Sequence, residues 1–195
     1  KEDRLRMIRA IRLKCRFGFE IEEQTQTAIP VHASELFPAV AIERVWQELN
    51  KGHDFGHLRS MLLSLHDFHL LDQIFPQLSG VGMEEIARRL DPLRYYPASA
   101  PTIAFLLPLF PHFQLQERLE LCKRLKLSNS DKEFVTFLTH ATSFIHYKKP
   151  LEPIEWAYFY ANQFARTSLQ ILSCHLDSSQ TTPFLQHHDD QILSL

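Results

Sequence analysis

The sequence predicts an all-α fold, an irregular array of short helices. Three observations carry that prediction. Only five glycines occur in 195 residues, and all lie between Gly18 and Gly82; a sheet protein of this length needs far more turn glycines. Leu is abundant and Val scarce, which favours helix over strand. Apolar residues recur at helical spacing, as in Ile42, Val45, Trp46 and Leu49. Hydrophobic residues make up 45% and charged residues 23%, which excludes a disordered chain and gives one ordinary domain or two small ones. No window approaches twenty unbroken apolar residues, so no membrane span is expected. Cys15, Cys122 and Cys174 are far apart and form no CxxC pair. They fit free thiols in a reducing cytoplasm, without structural zinc.

The first helix is expected over Glu2 to Arg16, with Gly18 as its C-terminal cap. A second covers Glu22 to Leu36, bent or split at Pro30. A third runs from Ala39 to Lys51 and is ended by Gly52. A fourth spans Asp54 to Phe68, with Leu58, Met61, Leu62 and Leu65 facing the core. A Gly/Ser loop precedes a fifth helix, Glu84 to Leu90, stopped by Asp91-Pro92. Five prolines between residues 92 and 111 mark a joint that encloses a short apolar helix. Helices near 113–126, 130–147 and 153–176 follow, with a tail from Pro183. Two domains are expected, 1–91 and 92–195, with no internal repeat.

Charge is distributed unevenly. Residues 1–16 hold seven basic groups against Glu2 and Asp3, a net of +5, while the remainder carries −7. On a helical wheel Arg6, Arg9, Arg12 and Arg16 share one side, opposite Met7, Ile8, Ile11 and Cys15. Such a stripe matches a polyanion such as nucleotide or RNA, since guanidinium groups pair bidentately with phosphate oxygens. A solvated face paired with acidic residues accounts for the same pattern.

Four ordered segments resemble one family. Glu2-Asp3-Arg4-Leu5-Arg6 fits E-D-x-x-R; Phe17-Gly18-Phe19-Glu20-Ile21 and Thr27-Ala28-Ile29 follow; then comes Ile42-Glu43-Arg44-Val45-Trp46-Gln47-Glu48-Leu49-Asn50-Lys51. This series resembles the class II nucleotidyltransferases, the bacterial tRNA CCA-adding enzymes and poly(A) polymerases. The resemblance covers residues 2–78. It implies a head, neck, body and tail architecture in which this chain is the helical neck, body and part of the tail. The chain opens on Lys1 in charged helical sequence, so a fragment without the catalytic head is expected.

The resemblance implies that Asp3 and Arg6 select the base of an incoming CTP or ATP. A carboxylate accepts from the exocyclic amine of cytosine or adenine, and a guanidinium donates to the adjacent ring nitrogen. Uracil and guanine present the opposite pattern, and each good base-edge contact discriminates by about 1–3 kcal/mol. Glu2 would orient the arginine, Arg9 and Arg12 would touch triphosphate or RNA backbone, and Glu43 and Arg44 would brace the neck. Transfer would use Mg²⁺ held by a D-x-D pair in the head. This chain has no D-x-D, so the fragment alone is expected to be inactive. Its expected partners are RNA, as a tRNA acceptor stem or another RNA 3′ end, with ATP and CTP; its expected location is the cytoplasm. The E-R-V-x-x-E-L-N-K segment leans towards the CCA-adding branch.

Other constellations point elsewhere. His53-Asp54 and His66-Asp67 each spell the dipeptide of metal phosphohydrolases, and His53 and His57 stand four apart. His187-His188-Asp189-Asp190 has ligand chemistry but reads as exposed tail. Trp46, Trp156, Tyr158 and Tyr160 are candidate base-stacking rings, with Trp46 placed in the core by its spacing. Arg118, Lys123, Arg124 and Lys126 form a second basic patch, and Lys148-Lys149 a third. A helical protein-interaction module and an HD-type phosphohydrolase are the alternative functions.

Overall fold

The computed structural model describes residues 3–146 and 152–194, and among these every regular element is helical. The described chain divides into two units. The first contains residues up to Asp91 together with 105–111 and 124–126; the second contains 92–104, 112–123 and the remainder.

In the first unit, α1 (Leu5–Phe17), α2 (Glu23–His32), α3 (Ile42–Asp54), α4 (Leu58–Asp67), α5 (Leu71–Ile74) and α6 (Met83–Arg89) follow in order. Leu5, Ile8 and Ile11 of α1 are buried, as are Val45 and Leu49 of α3 and Met61, Leu62 and Leu65 of α4. These three helices pack on one another, and α4 also carries α5 and α6. Each contributes one apolar stripe, so the core is a three-sided seam.

Several helix ends differ from the sequence expectation. Helix α1 starts at Leu5, with Arg4 at its N-cap position and the Asp3 carboxylate accepting from the Leu5 N–H; Glu2 lies outside the described residues. Gly18 closes it in the left-handed region, φ 68°, with its N–H on the Lys14 carbonyl. Helix α2 stops at His32, and a 3₁₀ turn, Ala33–Glu35, replaces its last turn after Pro30. Helix α3 continues through Gly52 to Asp54. Gly52 serves packing there: a Cβ at this position would lie 2.7 Å from the buried Met61 sulfur, so the missing side chain lets α3 approach α4. The break comes instead at Gly56, φ 73°, and α4 begins only at Leu58.

The proline-rich joint contains α7 (Thr102–Leu106), in which Ile103, Ala104, Phe105 and Leu106 are buried. Then follow α8 (Leu115–Arg124), α9 (Asn129–His146), α10 (Pro153–Ala161), α11 (Ala165–Ser173) and α12 (Ser178–Ser194). The single helix expected over 153–176 is two, α10 and α11, separated at Asn162, whose extended backbone interrupts the ladder. In the second unit α11 packs on α9, α10 and α12. Ala141, Phe159, Ala165 and Leu169 form the centre, with Phe137, Trp156, Tyr160 and Phe184 against it.

The tail is ordered helix. His188 of α12 is buried, 4% exposed, and shares a 2.6 Å hydrogen bond with the Tyr160 hydroxyl. The rings of Trp156, Phe184 and His187 also lie against it. Burial, aided by His187 and opposed by Asp189, lowers its pKa from 6.5 to about 4. A lowered histidine pKa means the unfolded chain binds the proton first. The stability contributed by neutral His188 is complete above pH 6.5 and is lost as the pH falls towards 4. Lowering the pH from 7 to 5 should therefore cost the second unit about 2 kcal/mol. Thermal unfolding followed by Trp156 fluorescence checks this, and His188→Gln should flatten the pH dependence.

Candidate nucleotide and nucleic-acid interface

The four arginines of the α1 stripe have three different fates. Arg6 is exposed and, among the described residues, pairs with no carboxylate. Arg9 and Arg12 turn to α3, where both donate through Nε to Glu48, at 3.1 and 2.7 Å. Lys51 adds a third contact at 3.1 Å. Glu48 is 1% exposed. Burial pushes its carboxyl up, but the hydrogen bonds from Arg12, Lys51 and Arg9 outweigh that and hold its pKa below the usual range. Arg16 stacks on the Phe55 ring, 3.4 Å from its centroid.

Asp3 lies just before α1. Its Oδ1 accepts from the Leu5 N–H at 3.2 Å, and its carbonyl accepts from the Arg6 N–H at 2.9 Å. A backbone turn thus sets Asp3 beside the first turn of α1, which carries Arg6. Arg44 of α3 grips the Asp3 carboxylate, Nη2 to Oδ2 at 2.9 Å and Nη1 to Oδ1 at 3.5 Å. That hydrogen bond is the chief reason the carboxyl lies below its ordinary pKa. Asp3 is therefore an ionised, acceptor-only group at neutral pH.

Asp3 and Arg6 line one cleft of about 430 Å³ between α1 and α2. Met7 and Ala10 continue its α1 wall, and Gln24, Thr25 and Ala28 form the α2 wall. Arg4 at the rim pairs with Glu35, which also binds His32 at 2.6 Å. The cleft offers an acceptor-only carboxylate and a donor-only guanidinium that are not paired with each other. Arg9 and Arg12 do not line it.

The remaining expected site residues fall as follows. Glu43 is paired with Lys126, and Arg44 with Asp3. Arg118 is spent on the Phe113 carbonyl and the Thr139 hydroxyl, and Arg124 on the Ile74 carbonyl. Lys126 is on Glu43, and Lys123, 78% exposed, stands 4.0 Å from Glu120. Lys148-Lys149 lie outside the described residues. His53 packs its ring against Phe105, centroids 4.6 Å apart, and burial lowers its pKa. Among the described residues no three His, Cys, Asp or Glu side chains converge on a common point. His188 is a core residue, not an exposed tail. Trp46 and Trp156 are half-buried, and Tyr158 is exposed.

Glu48 is the residue that sequence reasoning passed over. It stands three after Val45 and one before Leu49, both buried, which places it on the inward side of α3.

Residues 18–80 match a family model described as the probable RNA- and SrmB-binding site of polymerase A. A multifunctional CCA protein of Stenotrophomonas maltophilia is 39% identical over 84 residues, 41% of this chain and 21% of that protein. A CCA-adding enzyme of Leuconostoc mesenteroides is 36% identical over 104 residues, 53% of this chain and 25% of that protein. The N-terminal part of this chain is thus similar in sequence to CCA-adding proteins. A third relative, a CCA-adding enzyme of Latilactobacillus sakei, is 48% identical over 50 residues, 26% of this chain and 12% of that protein. The chain thus spans a quarter or less of the length of these relatives. No solved structure matches it.

Removing one member of a buried ion cluster leaves the others uncompensated. Glu48→Ala should destabilise the first unit by about 1–3 kcal/mol, since Arg9 and Lys51 can turn to water and only Arg12 is left largely buried, and Glu48→Gln by less, because the amide oxygen still accepts. Urea unfolding of the two variants beside the parent chain measures the difference.

Proposed function

We propose that this chain is the RNA-binding and nucleotide-selecting region of a 3′-terminal RNA nucleotidyltransferase. The observation that carries the reading is the cleft in which Asp3 and Arg6 stand together, ionised and not paired with each other. A cytosine or adenine edge entering it finds an acceptor for its amine and a donor for its ring nitrogen. Arg44 keeps the Asp3 carboxylate charged and fixed, which makes it a positioning residue. Its grip leaves Asp3 part-exposed towards the cleft.

The sequence relatives support the CCA-adding branch, since each of the three carries CCA in its name. On this reading the RNA is a tRNA acceptor end, and CTP and ATP are the nucleotides read. On this reading Mg²⁺ would serve transfer at a D-x-D pair, which this sequence does not contain. The chain alone is therefore expected to transfer no nucleotide. A second reading, docking of a protein partner, has one specific support: the matched family description names SrmB beside RNA.

Equilibrium binding of a tRNA acceptor-stem minihelix across salt concentrations tests the proposal. Contact with several phosphates predicts log affinity falling linearly with log salt, each contact adding about −0.9 to the slope for a duplex. Expected are a slope of about −3 or steeper and no incorporation of labelled ATP or CTP. No minihelix binding at low salt would reject the RNA reading, and nucleotide incorporation by the chain alone would reject the assignment of transfer to another domain.

A further inference from the structure

At the far end of α1, four planar groups form an exposed row. Gly18 turns the chain back in the left-handed region, so the side chains on either side of it meet. The Phe17 and Phe19 rings stack with centroids 5.4 Å apart and planes 22° from parallel. The Arg16 guanidinium lies 4.9 Å from the Phe17 ring and 3.4 Å from the Phe55 ring, where α3 ends. The row therefore runs Phe19, Phe17, Arg16, Phe55. Phe17 is 50% exposed, Phe19 64% and Phe55 42%. Other phenylalanines of the same unit, Phe68, Phe75 and Phe110, are buried. Three large rings are thus left in water at one spot while the core is filled elsewhere.

The chemistry of the row selects its ligand. Flat aromatic faces accept any nucleobase, and a stacked guanidinium adds charge and N–H edges for phosphate. Among the described residues no carboxylate pairs with Arg16. Lys14 and Glu20, 3.6 Å apart, offset one another beside it, so the row is locally cationic. A protein face covering it would have to bring a carboxylate to an already stacked arginine; each nucleotide brings a π-face and an anion together. A base-paired stem hides its base faces, so the fitting partner is unpaired.

We infer that Arg16, Phe17, Phe19 and Phe55 form a stacking platform for unpaired bases of single-stranded RNA. The inference rests on the RNA-binding reading and adds a site to it, outside the cleft. Phe19 and Phe55 lie inside the matched segment, and Arg16 and Phe17 immediately before it.

The test uses this chain, a single-stranded oligoadenylate carrying one 2-aminopurine, and a blunt RNA stem. Wild-type chain should bind the single strand and quench the 2-aminopurine. The double variant Phe17→Leu and Phe19→Leu keeps apolar bulk but removes the rings. It should weaken single-strand binding 5- to 100-fold, the range that base–aromatic stacking spans, and abolish the quench. Binding of the blunt stem should stay within twofold. Arg16→Gln should flatten the salt dependence of single-strand binding by about one phosphate contact. Phe17 and Phe19 are exposed and Arg16 is half-buried, and unchanged melting of each variant verifies the fold. Single-strand binding that survives the double variant, with wild type binding RNA, overturns the platform alone. Equal loss for strand and stem also overturns it. Failure of wild type to bind either RNA overturns the RNA reading and the platform with it.

Discussion

One buried carboxylate organises the N-terminal half of this protein. Glu48 sits at 1% exposure and receives Arg9, Arg12 and Lys51. Withdrawing it from water is costly, and only several charge-assisted hydrogen bonds offset that cost. Because two of the three donors come from α1, the cluster fixes the rotation of α1 about its own axis. Leu5, Ile8 and Ile11 are then committed to the core. Arg6, one turn before Arg9, is left facing the α2 cleft. The same rotation carries Arg16 to Phe55 at the other end of the helix.

This arrangement divides a stripe of like charge into parts with separate tasks. Two arginines hold the helix down, one stands exposed at the cleft, and one is stacked into an aromatic row. Asp3 is treated similarly: Arg44 takes one side of its carboxylate, while the cap bond to Leu5 fixes the other oxygen. The two candidate recognition features lie near opposite ends of a 13-residue helix, about 20 Å apart at 1.5 Å per residue. That distance is several nucleotides of extended strand.

The helical class was legible because glycine scarcity and apolar periodicity act locally and need no partner. The Gly18 cap was legible for the same reason. What failed were features decided by tertiary contacts. Gly52 reads as a helix stop, yet it is kept inside α3 by the nearness of Met61. His188 reads as a polar tail, yet Phe184 one turn earlier and Trp156 and Tyr160 of α10 enclose it. The arginine stripe was visible on a wheel, but which members are free depends on Glu48, a residue whose burial the stripe does not reveal. Asp3 and Arg6 were paired by the E-D-x-x-R resemblance; the setting of the Asp3 carboxylate depends on Arg44, 41 residues further along, which the motif does not reveal.

The central claim is that the Asp3 and Arg6 cleft distinguishes bases by their hydrogen-bonding edge. Nuclear magnetic resonance of the Arg6 side-chain Nε–H during titration with the four nucleoside triphosphates addresses it directly. CTP and ATP should shift and broaden that resonance while UTP and GTP at equal concentration leave it nearly unmoved. Four equal responses, or none, would contradict the claim.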